Sequence, residues 1–101
     1  MRRLVYLTSA RSDLADILRE IARESGSVAV GEAFAEKLIA RCEHLASLPG
    51  ILGTYRPELC PDIRSLPHRG YVIFFRYKCE RVEIVNILNG RRDIDHHFTG
   101  H

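Results

Sequence analysis

Apolar residues in the first half of the chain recur at intervals of three and four. A short β-prone segment at residues 2–7 comes first, followed by two apolar stripes, of which the second stops at Pro49-Gly50. The first stripe comprises Leu14, Ile17, Leu18 and Ile21, and the second comprises Val30, Phe34, Leu38, Cys42 and Leu45. This spacing predicts two amphipathic helices, with Thr8 and Ser9 as hydroxyls that can cap the first. Because only residues 25–27 separate the helices, we expect them to pack antiparallel.

The second half of the chain changes to short runs of β-branched and aromatic residues. These runs occupy residues 63–66, 71–77 and 81–88, and their composition is typical of strands. The connections between them are of hairpin length, so neighbouring strands are expected to run antiparallel. The predicted order is β-α-α-β-β-β. The predicted fold class is α+β, a single domain over residues 1–101 in which a helical hairpin packs on one face of a small antiparallel sheet.

The predicted strands are apolar on both faces. Both Val72 and Phe74 lie between apolar or aromatic neighbours in the sequence. In residues 81–88, strict alternation would place Val85 and Ile87 on one face of the sheet and Ile84 on the other. A helical hairpin can cover only one face of such a sheet. The sequence therefore predicts that the second face is covered either by the C-terminal segment, with Ile94 and Phe98 as buried pins, or by a partner chain.

Composition and charge exclude several classes of protein. The 101 residues are 46% hydrophobic and 28% charged, as in one globular domain. No apolar run approaches the ~20 residues of a membrane span, so we expect a cytoplasmic protein with no membrane contact. The three cysteines form no CxxC pair, which predicts reduced thiols. A net charge of +2 is too small to indicate nucleic-acid binding, although 13 of the 15 basic residues are arginines, which favours forked recognition of anions.

Metal-ligating residue types occur near the C-terminus, within residues 93–97 and at His101. Adjacent side chains on an extended segment point to opposite faces, and no distant ligand pair completes a site. His68 falls in a predicted turn without a nucleophile or carboxylate beside it. We therefore expect no metal and no cofactor.

Six short segments, in order along the chain, carry a resemblance to a known family. They are Asp13-Leu14 with Ile17, Gly53 with Arg56-Pro57-Glu58-Leu59, Ile63-Arg64-Ser65-Leu66-Pro67, Tyr71-Val72-Ile73-Phe74-Phe75, Val82-Glu83-Ile84 and Gly90-Arg91-Arg92-Asp93. Together they resemble the ParE branch of the ParE/RelE toxin superfamily over essentially the whole chain. The resemblance implies the toxin half of a type II toxin–antitoxin pair. It also implies a cognate antitoxin whose C-terminal tail wraps the toxin, a candidate cover for the second face of the sheet.

The resemblance also bears on the activity. RelE-like toxins cut mRNA in the ribosome with basic residues and usually a tyrosine, whereas ParE-like toxins inhibit DNA gyrase. Where many RelE-like enzymes have an arginine this chain has Val72, and where they often have the tyrosine it has Phe98. Neither residue can move a proton or stabilise charge on a phosphate. The resemblance thus implies a gyrase-binding toxin without catalytic residues. An mRNA endoribonuclease and a non-toxic regulatory relative are the alternatives.

Four residues are the candidates for partner binding: Arg64, Arg91, Arg92 and Phe98. The three arginines can each bind a carboxylate through two parallel hydrogen bonds. Arg91-Arg92-Asp93 is also typical of a chain end that is locked by salt bridges. The expected partners are the antitoxin and gyrase, and no sequence-specific binding of DNA by the chain itself is expected.

Overall fold

The computed structural model describes residues 2–91 and residue 98. In chain order the elements are β1 (Arg3–Tyr6), α1 (Thr8–Ser25), α2 (Val28–Ser47), β2 (Thr54–Tyr55), β3 (Arg64–His68), β4 (Tyr71–Lys78) and β5 (Arg81–Asn89). They form one five-stranded sheet in the order β1-β5-β4-β3-β2, with the two helices packed against it. The predicted α+β fold class is confirmed. The sheet is mixed, because β1 pairs with β5 in parallel while the other pairs are antiparallel. The two-residue β2 was not predicted.

Short, well-defined turns set the path of the chain between these elements. Gly26 ends α1 in the left-handed conformation, with φ 74°, which glycine adopts without steric cost. The Ser27 hydroxyl then caps α2 by accepting a hydrogen bond from the Val30 N–H at 3.3 Å. Between β3 and β4 the turn residues Arg69 and Gly70 both have positive φ, as in the two-residue turns that match strand twist. The antiparallel helical hairpin and the β3–β4 hairpin therefore form where the sequence predicts them.

A bulge at Val85 interrupts β5. Phe74 pairs with Asn86, but the next residue, Phe75, pairs with Ile84, so Val85 is the extra residue. A bulge shifts the alternation of side chains by one position. Ile84 and Ile87 consequently both face the helices. The strict alternation expected for residues 81–88, with these two residues on opposite faces, is wrong from Val85 onward.

The N-terminal part of α1 hydrogen-bonds to the edge of β5 beyond the end of β1. Among the described residues, β1 pairs with β5 only as far as Ile84. Past that point the Ser9 hydroxyl donates to the Val85 carbonyl. The Asp13 carboxylate accepts from the Ile87 N–H at 2.9 Å and from the Asn86 amide at 2.8 Å, both through Oδ2. The expected capping role of Ser9 is wrong, because Leu7 precedes α1 without a side-chain cap and the Ser9 hydroxyl bonds the bulge instead.

Apolar side chains are buried on both faces of the sheet. The helix-side core includes Ile17, Leu38, Cys42, Leu45, Ile73, Phe75, Val82, Ile84 and Ile87. A smaller outer-face cluster consists of Leu59, Ile63, Phe74, Leu88 and Phe98. The Phe98 ring meets the Phe74 ring edge to face, with centroids 4.9 Å apart. Phe98 thus covers part of this face, as predicted. The segment between α2 and β3, which we call the connector, also contributes through Leu59 and Ile63, and this was not predicted. Ile94 lies outside the described residues.

The connector between α2 and β3 passes close to the sheet at Gly53. This residue has φ 77°, and a Cβ atom added to it would lie 2.7 Å from Cζ of Phe75 and 2.9 Å from the Ser65 carbonyl oxygen. Gly50 has a similar φ of 80° but open space around it.

None of the described helices is long and apolar enough to cross a membrane.

We expect Asp13→Ala to destabilise the protein by about 2–3 kcal/mol. The substitution leaves the Ile87 N–H and the Asn86 amide without their charged acceptor, and such hydrogen bonds contribute ~1.5–3 kcal/mol. The matched control is Asp16→Ala, since Asp16 makes only an exposed ion pair with Arg19 and its loss should cost under ~1 kcal/mol. Urea unfolding of both variants measures the difference. Equal midpoints would show that Asp13 does not hold α1 to β5.

Gly53→Ala and Gly50→Ala separate backbone strain from close packing. Both substitutions place a side chain at positive φ, at a cost of ~1–2 kcal/mol. Only the first also forces a methyl group into Phe75 and β3, and overpacking of that kind adds ~1–3 kcal/mol. Gly53→Ala should therefore lower the free energy of unfolding by that further amount. If the two variants unfold at the same denaturant concentration, the connector does not pack against the sheet as described.

Candidate functional site

Arg64 lies at the start of β3, and its guanidinium holds the connector. Its Nε donates to the Leu52 carbonyl at 2.8 Å and one terminal nitrogen donates to the Gly53 carbonyl at 3.1 Å. The guanidinium carbon also lies 5.7 Å from the centroid of the Tyr55 ring, within the range of a cation–π contact. These contacts are structural. The predicted binding of a partner by Arg64 stays a prediction.

Val72 and Phe98, the two residues on which the expectation of no RNA cleavage rests, both belong to the outer face of the sheet. Phe98 is 8% exposed and packs on Phe74. Val72 is half-buried against the same cluster. Their surroundings are apolar, so neither position holds a group that could transfer a proton or stabilise a negative charge. A partner contact by Phe98 also stays a prediction.

Arg91 lies at the mouth of a cleft between α1 and the end of β5. The cleft has a volume of about 370 Å³, and we call it the Arg91 cleft. Its lining is Asp13, Asp16, Ile17, Glu20, Tyr71, Ile87, Asn89 and Arg91. Arg91 is exposed and forms no ion pair with another described residue. Within the described part of the chain, nothing therefore neutralises its guanidinium. Arg92 lies outside the described residues.

The described candidates do not converge on one site. Arg64 pairs with Phe75, and directly opposed residues in an antiparallel pair share a face, so Arg64 lies on the helix side. Phe98 packs on the opposite face. Arg91 follows the end of β5, where Asn89 pairs with Tyr71, four residues and about 13 Å along β4 from Phe75. The sequence identified separate residues, and the structure distributes them over three surfaces.

The titratable groups give little support for acid–base or nucleophilic chemistry in the part of the chain that the structure describes. No group of three or more His, Cys, Asp or Glu side chains there could hold a metal ion. Burial raises the pKa of the Cys42 thiol to about 11, which leaves it protonated and unreactive. Burial, followed by the nearby charges of Glu20 and Glu24, raises the pKa of Tyr71. The tyrosine that lines the Arg91 cleft is therefore a neutral hydrogen-bonding group.

A cluster of basic residues, which we call the basic surface, was not found from the sequence. It combines one face of α2 with the end of β3 and the β3–β4 turn around a shallow cleft of about 280 Å³. Its residues are Lys37, Arg41, His44, His68 and Arg69, with Ala40 between them. The expectation that His68 lies in a turn is wrong, because it is the last residue of β3 and pairs with Tyr71. The intervals of four and three residues between Lys37, Arg41 and His44 were a signal in the sequence, because residues so spaced share one face of a helix. The contribution of the turn was not visible, because it depends on how β3 and β4 pack beside α2.

Comparisons with known proteins agree with the geometry. The family model of the ParE toxin of the type II toxin–antitoxin system parDE matches residues 4–94. No curated protein matches the sequence. A solved structure described as the chromosomal ParDE TA system from P. aeruginosa matches with a TM-score of 0.76 at 20% identity, covering 88% of this chain and 96% of that chain. At that identity the structural match supports the fold, and the family model supports the family. This chain belongs to the ParE toxin family of type II toxin–antitoxin systems.

Proposed function

We propose that this ParE-family chain arrests bacterial growth by binding DNA gyrase in the cytoplasm, and that a cognate antitoxin keeps it inactive. The observation that favours binding over RNA cleavage is the chemistry at Val72 and Phe98. Both side chains are apolar and lie against the outer-face cluster. Removing one charge-stabilising donor from an active site typically costs a factor of ~100–1,000 in rate. A site that lacks both a guanidinium and a hydroxyl should not cleave RNA at a useful rate.

Among the candidate residues, Arg91 and Arg92 are the ones to which we assign contact with a partner. Arg91 is exposed and without an ion pair among the described residues. The guanidinium of Arg64, in contrast, already donates to two carbonyls, and the Phe98 ring is buried. Substitutions at Arg64 and Phe98 should therefore act through the fold, whereas substitutions at Arg91 and Arg92 should act through binding.

The outer face of the sheet is covered by residues of the chain itself and does not require an antitoxin to bury it. The connector and Phe98 already bury Phe74 and Leu88. We therefore assign the antitoxin tail to the Arg91 cleft, which offers carboxylates from α1 and a guanidinium without an ion pair among the described residues, within one concave surface. A tail that carries both signs of charge would find complementary groups there, and such complementarity favours specificity and fast association.

The activity is tested by inducing this chain in bacteria, first alone and then together with its cognate antitoxin. The chain alone should stop growth, inhibit supercoiling by purified gyrase and leave ribosome-bound mRNA intact, and growth should return with the antitoxin. The measurements are growth, DNA breaks, plasmid supercoiling and mRNA cleavage.

Two outcomes would contradict the proposal. Codon-dependent cleavage of mRNA with gyrase unaffected would establish the endoribonuclease. Normal growth with both gyrase and mRNA unaffected, from a chain shown to be folded, would establish a non-toxic relative.

Arg92→Ala and Arg91→Ala should reduce toxicity while the melting temperature hardly changes. Loss of an arginine from the centre of an interface costs 2 kcal/mol or more, roughly a thirtyfold loss of affinity. Loss of an exposed salt bridge costs at most ~1 kcal/mol of stability. The measurements are thermal melting, growth arrest and gyrase binding.

Phe98→Ala is the control for an effect through the fold. Loss of this buried ring should destabilise by about 3–5 kcal/mol and reduce toxicity by unfolding. An Arg92 variant that melts as early as the Phe98 variant, or that stays fully toxic, would assign Arg92 to the structure of the chain end instead.

A further inference from the structure

The basic surface concentrates positive charge on one side of the molecule. Lys37, Arg41 and His44 share a face of α2 because they are four and three residues apart. His68, at the end of β3, and Arg69, in the β3–β4 turn, line the same cleft. The acidic residues of α2 follow a separate stripe, at Glu32, Glu36 and Glu43. This stripe is displaced by one residue, or about 100° around the helix, from the basic one. The two signs of charge are therefore segregated.

The cations of the basic surface are not neutralised within the described chain. The ion pairs among the described residues involve Arg19, Arg56, Arg76 and Arg81. Lys37, Arg41 and Arg69 take part in none of them. Arg41 instead donates a hydrogen bond to Nδ1 of His44 at 2.6 Å. Burial, then the charges of Arg69 and Arg41, lowers the pKa of His68, as expected where cations are crowded without a counter-charge.

We propose that the basic surface binds the phosphate backbone of duplex DNA without reading its sequence. Protein–DNA interfaces are more polar and more positively charged than protein–protein interfaces. A docked peptide would need an apolar centre, and Ala40 is the one apolar residue that lines this cleft. Binding of single-stranded RNA relies on aromatic rings that stack on bases, and the lining contains no Phe, Tyr or Trp. Duplex phosphates are the anions that this surface fits.

The test is fluorescence anisotropy of the purified chain with a short labelled duplex of scrambled sequence, in the absence of gyrase. Three permanent charges that each neutralise one phosphate give a slope of about −2.7 for log K against log salt concentration. The double variant Lys37→Ala with Arg69→Asn retains one of them. We chose asparagine because Arg69 has φ 54° and asparagine tolerates that region. For this double variant the slope should change from about −2.7 to about −0.9, and the affinity for the duplex at ~0.1 M salt should drop about 60-fold.

The matched control is Arg11→Ala with Arg23→Ala, which removes the same charge from exposed positions on α1. It should keep the wild-type slope and an affinity within about twofold of wild type, because these residues lie outside the surface. Thermal melts establish that both double variants are folded.

Three results would overturn the proposal. In the first, the wild-type chain shows no salt-dependent binding of the duplex. In the second, both double variants lose affinity for the duplex by the same factor, which would show that the net charge of the protein determines binding and the position of the charges does not. In the third, single-stranded RNA or polyglutamate competes better than duplex DNA at equal charge. Because gyrase is absent from the assay, each of these results leaves the gyrase proposal standing.

Discussion

The carboxylate of Asp13 and the bulge in β5 depend on each other, and the rest of the fold depends on both. From the bulge onward, beyond the end of β1, the edge of β5 has backbone groups without a strand partner, and such groups are costly where they are shielded from water and unbonded. Asp13 and Ser9 on α1 supply the missing partners at Ile87 and Val85. These bonds fix the position of α1 along β5. They also fix the changed alternation that turns Ile87 toward the helices.

The strands could be apolar on both faces because the chain supplies two covers. The helical hairpin buries one face, while the connector and the C-terminal Phe98 bury the other. The connector is held against the sheet at residues 52 and 53. Arg64 bonds the carbonyls at residues 52 and 53, and Gly53 permits the close approach to Phe75. An arginine that looked available for recognition is in this way a part of the fold.

Local pattern was enough to predict both helices, the Gly26 break and four of the five strands, because each depends on spacing or turn chemistry within a few residues. The parallel pairing of β1, the two-residue β2 and the bulge could not be predicted in the same way. Pairing partners are set by packing, and no glycine or proline marks Val85. The same limit applies to function. Arg91 was found from a motif, but the basic surface requires His68 and Arg69 to lie beside α2, which only the tertiary structure shows.

Charged groups at the two ends of the sheet are used differently. At one end, Arg2 donates hydrogen bonds to the carbonyls of Leu48 and Gly50. Its guanidinium therefore stabilises the path of the chain after α2. At the other end, the Gly90 N–H donates to the Gly70 carbonyl at 2.9 Å, which brings Arg91 beside the turn that carries Arg69. The Arg91 cleft and the basic surface thus flank the same turn. An antitoxin tail bound in the Arg91 cleft, as we propose, would therefore lie beside the turn that carries Arg69, at the edge of the proposed DNA-binding surface.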